Sequence, residues 1–210
     1  MSPPSLLRLV CLGATVLAAL VVLGAWVDFL EVFSSMDTAK TAQAVEQQAP
    51  LLSKLYGQEA QHFAAALASS LEARHAGLRE MRGLRMLVLF ALSMAATSLC
   101  MSGWRLLFME RFSKLRMARM LSKTALACAI LRTLDGAQSA ALARRAGAAF
   151  DFAVAFNMPL PQGMETSLRF LSVALSFCVV ALFFFLWRFF QAPKTLALLG
   201  VPPPPSPPSG

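Results

Sequence analysis

A chain of 210 residues that is 57% hydrophobic and 14% charged, with a mean hydropathy of +0.61, is too apolar for an ordinary soluble domain of its size. The net charge of +8 does not point to nucleic acid. The basic residues gather beside an apolar block instead of along a soluble face interleaved with aromatics, so anionic membrane lipid is the nearer partner and no nucleic-acid partner is expected. Phosphate-cradling GxxxxGK[ST], dinucleotide GxGxxG, zinc-protease HExxH and nucleophile-elbow GxSxG patterns are all missing, and only two histidines are present. The residues therefore give no reason to expect catalysis, a cofactor or a metal.

Three charge-free blocks carry much of the hydrophobicity: Leu9 to Val27, Met86 to Trp104 and Phe170 to Trp187. As helices each covers about 27 to 28 Å, close to the roughly 30 Å hydrocarbon core of a bilayer. Aromatic or charged residues near their ends, including Trp26 with Asp28, Trp104 with Arg105 and Trp187 with Arg188, suit the membrane interface. The expected fold is an all-α integral membrane protein with three transmembrane helices, an extracytoplasmic helical hairpin and a cytoplasmic helical pair. Its segments are a cytoplasmic N-terminus (1–8), span one (9–28), the outer hairpin (29–84), span two (85–108), a basic cytoplasmic segment (109–167), span three (168–190) and a Pro-rich tail (191–210).

The N-terminal MSPPSLLR carries one side-chain positive charge ahead of span one. Leu23 fits poorly at the minus-three position of a cut after Ala25, and the block exceeds a usual signal-peptide core, so a retained anchor is expected. Orientation follows from basic residues near the spans. Arg111, Lys114, Arg116, Arg119 and Lys123 follow span two, whereas the segment after span one opens with Asp28, Glu31 and Asp37. That puts the N-terminus and the basic segment in the cytoplasm and the C-terminus outside, in the inner or plasma membrane. Arg74, Arg79, Arg82 and Arg85, on the approach to span two, oppose this assignment.

The outer hairpin has a thin first arm, Phe29 to Gln48, and a reversal near Pro50, which disfavours helix at Ala49. Its second arm, Leu52 to Gly83, is stronger and about 48 Å long. Leu52, Tyr56, Phe63, Leu67, Leu71, Leu78 and Met81 recur at helical spacing and make one apolar stripe. Two helices alone bury such a stripe poorly. It therefore predicts pairing with the first arm and with another chain, either a second copy or another membrane subunit.

The basic segment reads as two helices. Glu110 to Leu134 starts with the basic cluster, and Asp135-Gly136 ends it, glycine being a common helix stop. Ala137 to Phe156 is alanine-rich, but Arg144, Arg145 and Asp151 break up its apolar run, so it reads as a helix on the membrane or in a cytoplasmic bundle. The basic cluster, Arg111 to Lys123, is the candidate surface for anionic lipid or an acidic partner. The tail VPPPPSPPSG favours polyproline II and builds no core.

A doubled Glu-x-x-His, Glu59 to His62 and Glu72 to His75, has the i, i+3 spacing of carboxylate-bridged metal sites. On one helix the two histidines stand about 20 Å apart and roughly 140° round the axis, which precludes a shared site within a chain, so these read as solvated helix-face residues. Cys11, Cys100, Cys128 and Cys178 lie in apolar helical sequence and read as buried thiols. Small residues recur four apart at Ala14 and Ala18, Ala91 and Ala95, Ser93 and Thr97, and Ser172 and Ser176, a spacing that lets helices approach closely. No ionisable residue lies inside the three charge-free runs, which argues against a secondary transporter acting alone. The function expected is a non-enzymatic accessory or scaffold subunit of a membrane complex. The alternatives are a transducer coupling the outer hairpin to the cytoplasmic helices, and an oligomeric pore lined by Ser93, Thr97, Ser98 and Ser102.

Overall fold

The structure, a computed structural model, describes residues 3–34, 58–108, 114–150 and 164–199. Among these every regular element is a helix and no strand occurs. The helices are α1 (Pro3–Ser34), α2 (Gln58–Glu80), α3 (Arg82–Phe108), α4 (Lys114–Ala149), α5 (Met164–Gln191) and the short α6 (Pro193–Leu198). Pro3 and Pro4 sit in the first turn of α1, where a missing N–H costs nothing, and the leucines and alanines that follow are good helix formers. α1 continues past Asp28 as far as Ser34. The rest of the first arm, the reversal at Pro50, and Leu52 and Tyr56 of the stripe lie outside the described residues.

The second arm ends as a helix at Glu80, and a single turn residue, Met81, joins it to α3. The Met81 N–H donates to the Gly77 carbonyl at 3.1 Å and the Arg85 N–H to the Met81 carbonyl at 2.9 Å, so the backbone ladder runs on almost unbroken from α2 into α3.

The expected helix end at Asp135-Gly136 is corrected. α4 runs unbroken for 36 residues, about 54 Å, from Lys114 to Ala149. Glycine inside a helix costs about 1 kcal/mol relative to alanine, so its presence needs a packing reason. That reason is α5: a Cβ on Gly136 would come 2.5 Å from Ser176 Oγ. The residue that reads as a stop in isolation is a close-approach point between two helices.

The fold divides into two compact units: residues 1–26, 89–133 and 177–210 form one, and 27–88 and 134–176 the other, with α1, α3, α4 and α5 each contributing to both. In the first unit small residues of α1 (Cys11, Ala14, Ala18) and α3 (Ala96) meet Ala118, Leu121, Ala125 and Cys128 of α4 and the bulky Phe183, Leu186 and Phe190 of α5. Large side chains from one helix thus fill the space left by small ones on its neighbours. In the second unit α2 packs on the latter half of α4. A Cβ on Gly77 would meet Leu142 Cδ2 at 2.8 Å, the Ser69 hydroxyl lies 2.9 Å from the Ala149 carbonyl, and the rings of Phe63 and Phe150 meet edge to face with centroids 6.2 Å apart.

Two helices are long and apolar enough to cross a membrane, Leu6–Phe33 and Arg82–Phe108, and a shorter apolar stretch covers Ser176–Gln191. Only 17% and 33% of the two long apolar windows are buried within the chain. The core helix of a soluble protein would be mostly buried, so both present their apolar surface outward, as helices in lipid do.

Close packing in the first unit generates a test. Gly103 of α3 faces Thr15 of α1, whose hydroxyl donates to the Cys11 carbonyl at 2.9 Å, and a Cβ at position 103 would stand 2.5 Å from Thr15 Oγ1. Gly103→Ala is expected to lower thermal stability in detergent by about 1 to 3 kcal/mol, and adding Thr15→Ala should restore most of the loss.

Candidate functional site

Among the described residues every Asp and Glu lies in the second unit, where one arginine joins three helices. Arg85 stands in the first turn of α3, Asp28 near the end of α1, and Asp135 and Ser139 one turn apart on α4. The Arg85 side chain is 2% exposed and that of Asp135 is 0%. Arg85 Nη2 lies 3.5 Å from Asp28 Oδ2, Nη1 3.7 Å from Asp135 Oδ1, and both guanidinium nitrogens reach the Ser139 hydroxyl at 3.2 and 3.3 Å. Arg85 Nε and Gln138 Oε1 are buried with no hydrogen-bond partner among the described residues.

Dehydrating a guanidinium costs several kcal/mol, which only opposite charge and hydrogen bonds offset. The contacts here are longer than those of a bidentate pair, so the cluster acts as a three-way electrostatic tie with Arg85 at its centre. Two outer pairs are tighter. Arg74 of α2 holds Glu31 of α1 in a fork, with Nε at 2.7 Å and Nη2 at 2.8 Å from its two oxygens, and Arg145 of α4 meets Glu80 of α2 at 2.6 Å. Both outer pairs are partly open to solvent, so each contributes little on its own.

The stripe on α2 is only partly free. Leu78 is fully buried and Leu71 and Met81 are half-buried, while Phe63 and Leu67 stay 38% and 37% exposed. The latter half of α4 thus provides within the chain part of the cover that the stripe demanded from a partner. Of the basic cluster, Lys114, Arg116, Arg119 and Lys123 lie exposed on α4, and Arg111 falls outside the described residues. The buried residues Met117, Ala118, Leu121, Ala125 and Cys128 mark the inward face of that stretch, and Arg116, Arg119 and Lys123 lie opposite it within about 60° of one another.

His62 and Glu72 are exposed and His75 is half-buried, and among the described residues no three of His, Cys, Asp and Glu gather closely enough to hold a metal ion. The Ser98 and Ser102 hydroxyls bond back to the carbonyls of Met94 and Ser98 at 2.9 and 2.7 Å, and Thr97 is exposed. No protein-family model, no curated protein and no solved structure matches the chain.

Sequence reasoning missed the Arg85 cluster because Asp28 reads as an interfacial anchor and Arg85 as one of four arginines bearing on orientation. A signal was present: opposite charges flank the adjoining ends of the first two apolar blocks. The cluster and the outer pairs should respond differently to substitution. Arg85→Met removes the cation at the centre of a buried cluster and is expected to cost about 3 to 5 kcal/mol, whereas Glu31→Gln should cost no more than about 1 kcal/mol. Thermal unfolding of the detergent-solubilised variants checks both.

Proposed function

We propose that the chain is an integral protein of the cell membrane that works without catalysis, as an accessory or scaffold subunit assembling with copies of itself or with other membrane subunits. The outward face of α1 carries this reading: Leu9, Leu12, Val16, Leu20, Leu23 and Val27 are each more than half exposed and follow one another at steps of three and four. A row of large apolar side chains in that setting is stable only against acyl chains or another apolar helix. α3 repeats the pattern with Leu84, Leu87, Phe90 and Met94. The apolar part of α5 joins them as a third crossing, the N-terminus faces the cytoplasm, and the basic face of α4 lies against anionic headgroups.

A second reading is favoured by one observation. α4 is a single continuous helix whose latter half touches α2 through Leu142, Arg145 and Ala149 and whose first turns carry the basic cluster. Such a rod can pass a shift of α2 to the cytoplasmic end, which is the coupling a signal transducer requires.

Assembly separates the readings. The native complex extracted in mild detergent is expected to run as an oligomer or to carry other subunits in fixed ratio, and Leu67→Glu, at an exposed point of the α2 stripe, should dissociate it while leaving the monomer folded. An assembly that keeps its mass with Leu67→Glu, or a wild-type chain that extracts as a lone monomer, contradicts the scaffold role.

A further inference from the structure

We propose that α4 is itself a membrane-crossing helix, so that the chain crosses four times and its C-terminal end returns to the cytoplasmic side. The proposal rests on the membrane reading above and replaces its count of three crossings.

Compartment logic within each unit comes first. α2 follows α1 and precedes α3, which places it outside when the N-terminus is inside. In the second unit α2 touches the far end of α4: Glu80 pairs with Arg145, Ser69 meets the Ala149 carbonyl, and Phe63 meets Phe150. Residues in contact share a compartment, so the Arg145 end of α4 is also outside. Lys114, at its other end, follows α3 within a few residues and lies in the cytoplasm. An unbroken helix with its two ends in different compartments has crossed the bilayer.

The first unit supplies an independent link. Ser122 of α4 donates to the Trp187 carbonyl of α5 at 3.4 Å. Ser122 adjoins Lys123, and the Arg188 guanidinium lies over the Trp187 ring at 5.7 Å. The end of α5 therefore shares the depth of the cytoplasmic basic cluster, whereas three crossings would put Trp187 on the opposite side of the membrane.

The surface of α4 fits lipid over the required length. Between Lys123 and Arg144 lie Thr124 to Ala143, about 30 Å of helix, whose last turns stand beside α2 on the outer side. Hydropathy passes over this stretch because it contains Arg132 and Asp135. Asp135 is fully buried against Arg85, and Arg132 is half-buried with its Nε enclosed. The exposed positions are Ile130, Thr133, Leu134, Ala137, Ala140, Ala141 and Ala143, with no charge among them. Inward-facing, paired charge with an apolar outer face is how ionisable residues persist at membrane depth. Arg119 and Lys123 are exposed towards one end and Arg144 at the other, as suits the two headgroup layers.

Single cysteines in a chain lacking Cys11, Cys100, Cys128 and Cys178 test this, probed in intact cells with a membrane-impermeant maleimide. Glu72→Cys and Ala148→Cys are expected to label from outside, and Arg119→Cys and Lys194→Cys only after permeabilisation. Positions 119 and 148 labelling from the same side, or positions 119 and 194 from opposite sides, would overturn the four-crossing arrangement. Release of the chain by alkaline carbonate would instead overturn the membrane reading beneath it.

Discussion

Arg85 sets the terms for the second unit. A guanidinium with 2% exposure is unstable there unless opposite charge stands against it, and that charge comes from two other helices, Asp28 on α1 and Asp135 on α4. One residue of α3 thereby fixes which turn of α1 and which turn of α4 it meets. Asp135 is thereby turned inward within this unit. Lys123 lies twelve residues back and about 120° round the axis, and it is exposed.

Packing along the apolar segments follows a different rule. Lipid tails supply no hydrophobic drive between helices, so contact depends on close fit. In the first unit Ala14, Ala18 and Gly103 allow close approach, and Phe183, Leu186 and Phe190 fill the remaining space. The large residues left over, such as Leu20 and Leu23 of α1 or Leu87 and Phe90 of α3, all point away from the core. That distribution reverses the soluble pattern, and it supports placing these surfaces in lipid.

Much of the architecture was legible because its signals are local. Apolar runs near bilayer length in α1 and α3, the extension of α1 past Asp28, the helical α2 leading into α3 and the close-packing positions Ala14 and Ala18 all follow from periodicity or spacing. What the sequence hides is tertiary. Gly136 looks like a stop until Ser176 is beside it, and Asp135 looks like part of that stop until Arg85 is beside it. Leu78 and Phe63 look alike on a stripe, yet the first is fully buried within the chain and the second stays 38% exposed. Arg85 itself was legible as a charge but not as a partner, since its counter-charges sit 57 and 50 positions away in the chain. Local patterns cannot report contacts made at that separation.

The most direct test of this account is a double-mutant cycle between Arg85 and Asp135, with Arg85→Met, Asp135→Leu and the pair together, read by reversible unfolding in detergent or bicelles. If the buried tie holds α3 to α4, each single variant is strongly destabilised and the double variant is much less so than their sum, leaving a coupling of at least about 1 kcal/mol. Additive losses would mean that the two charges do not depend on each other, and the register assigned to α4 would have to be abandoned.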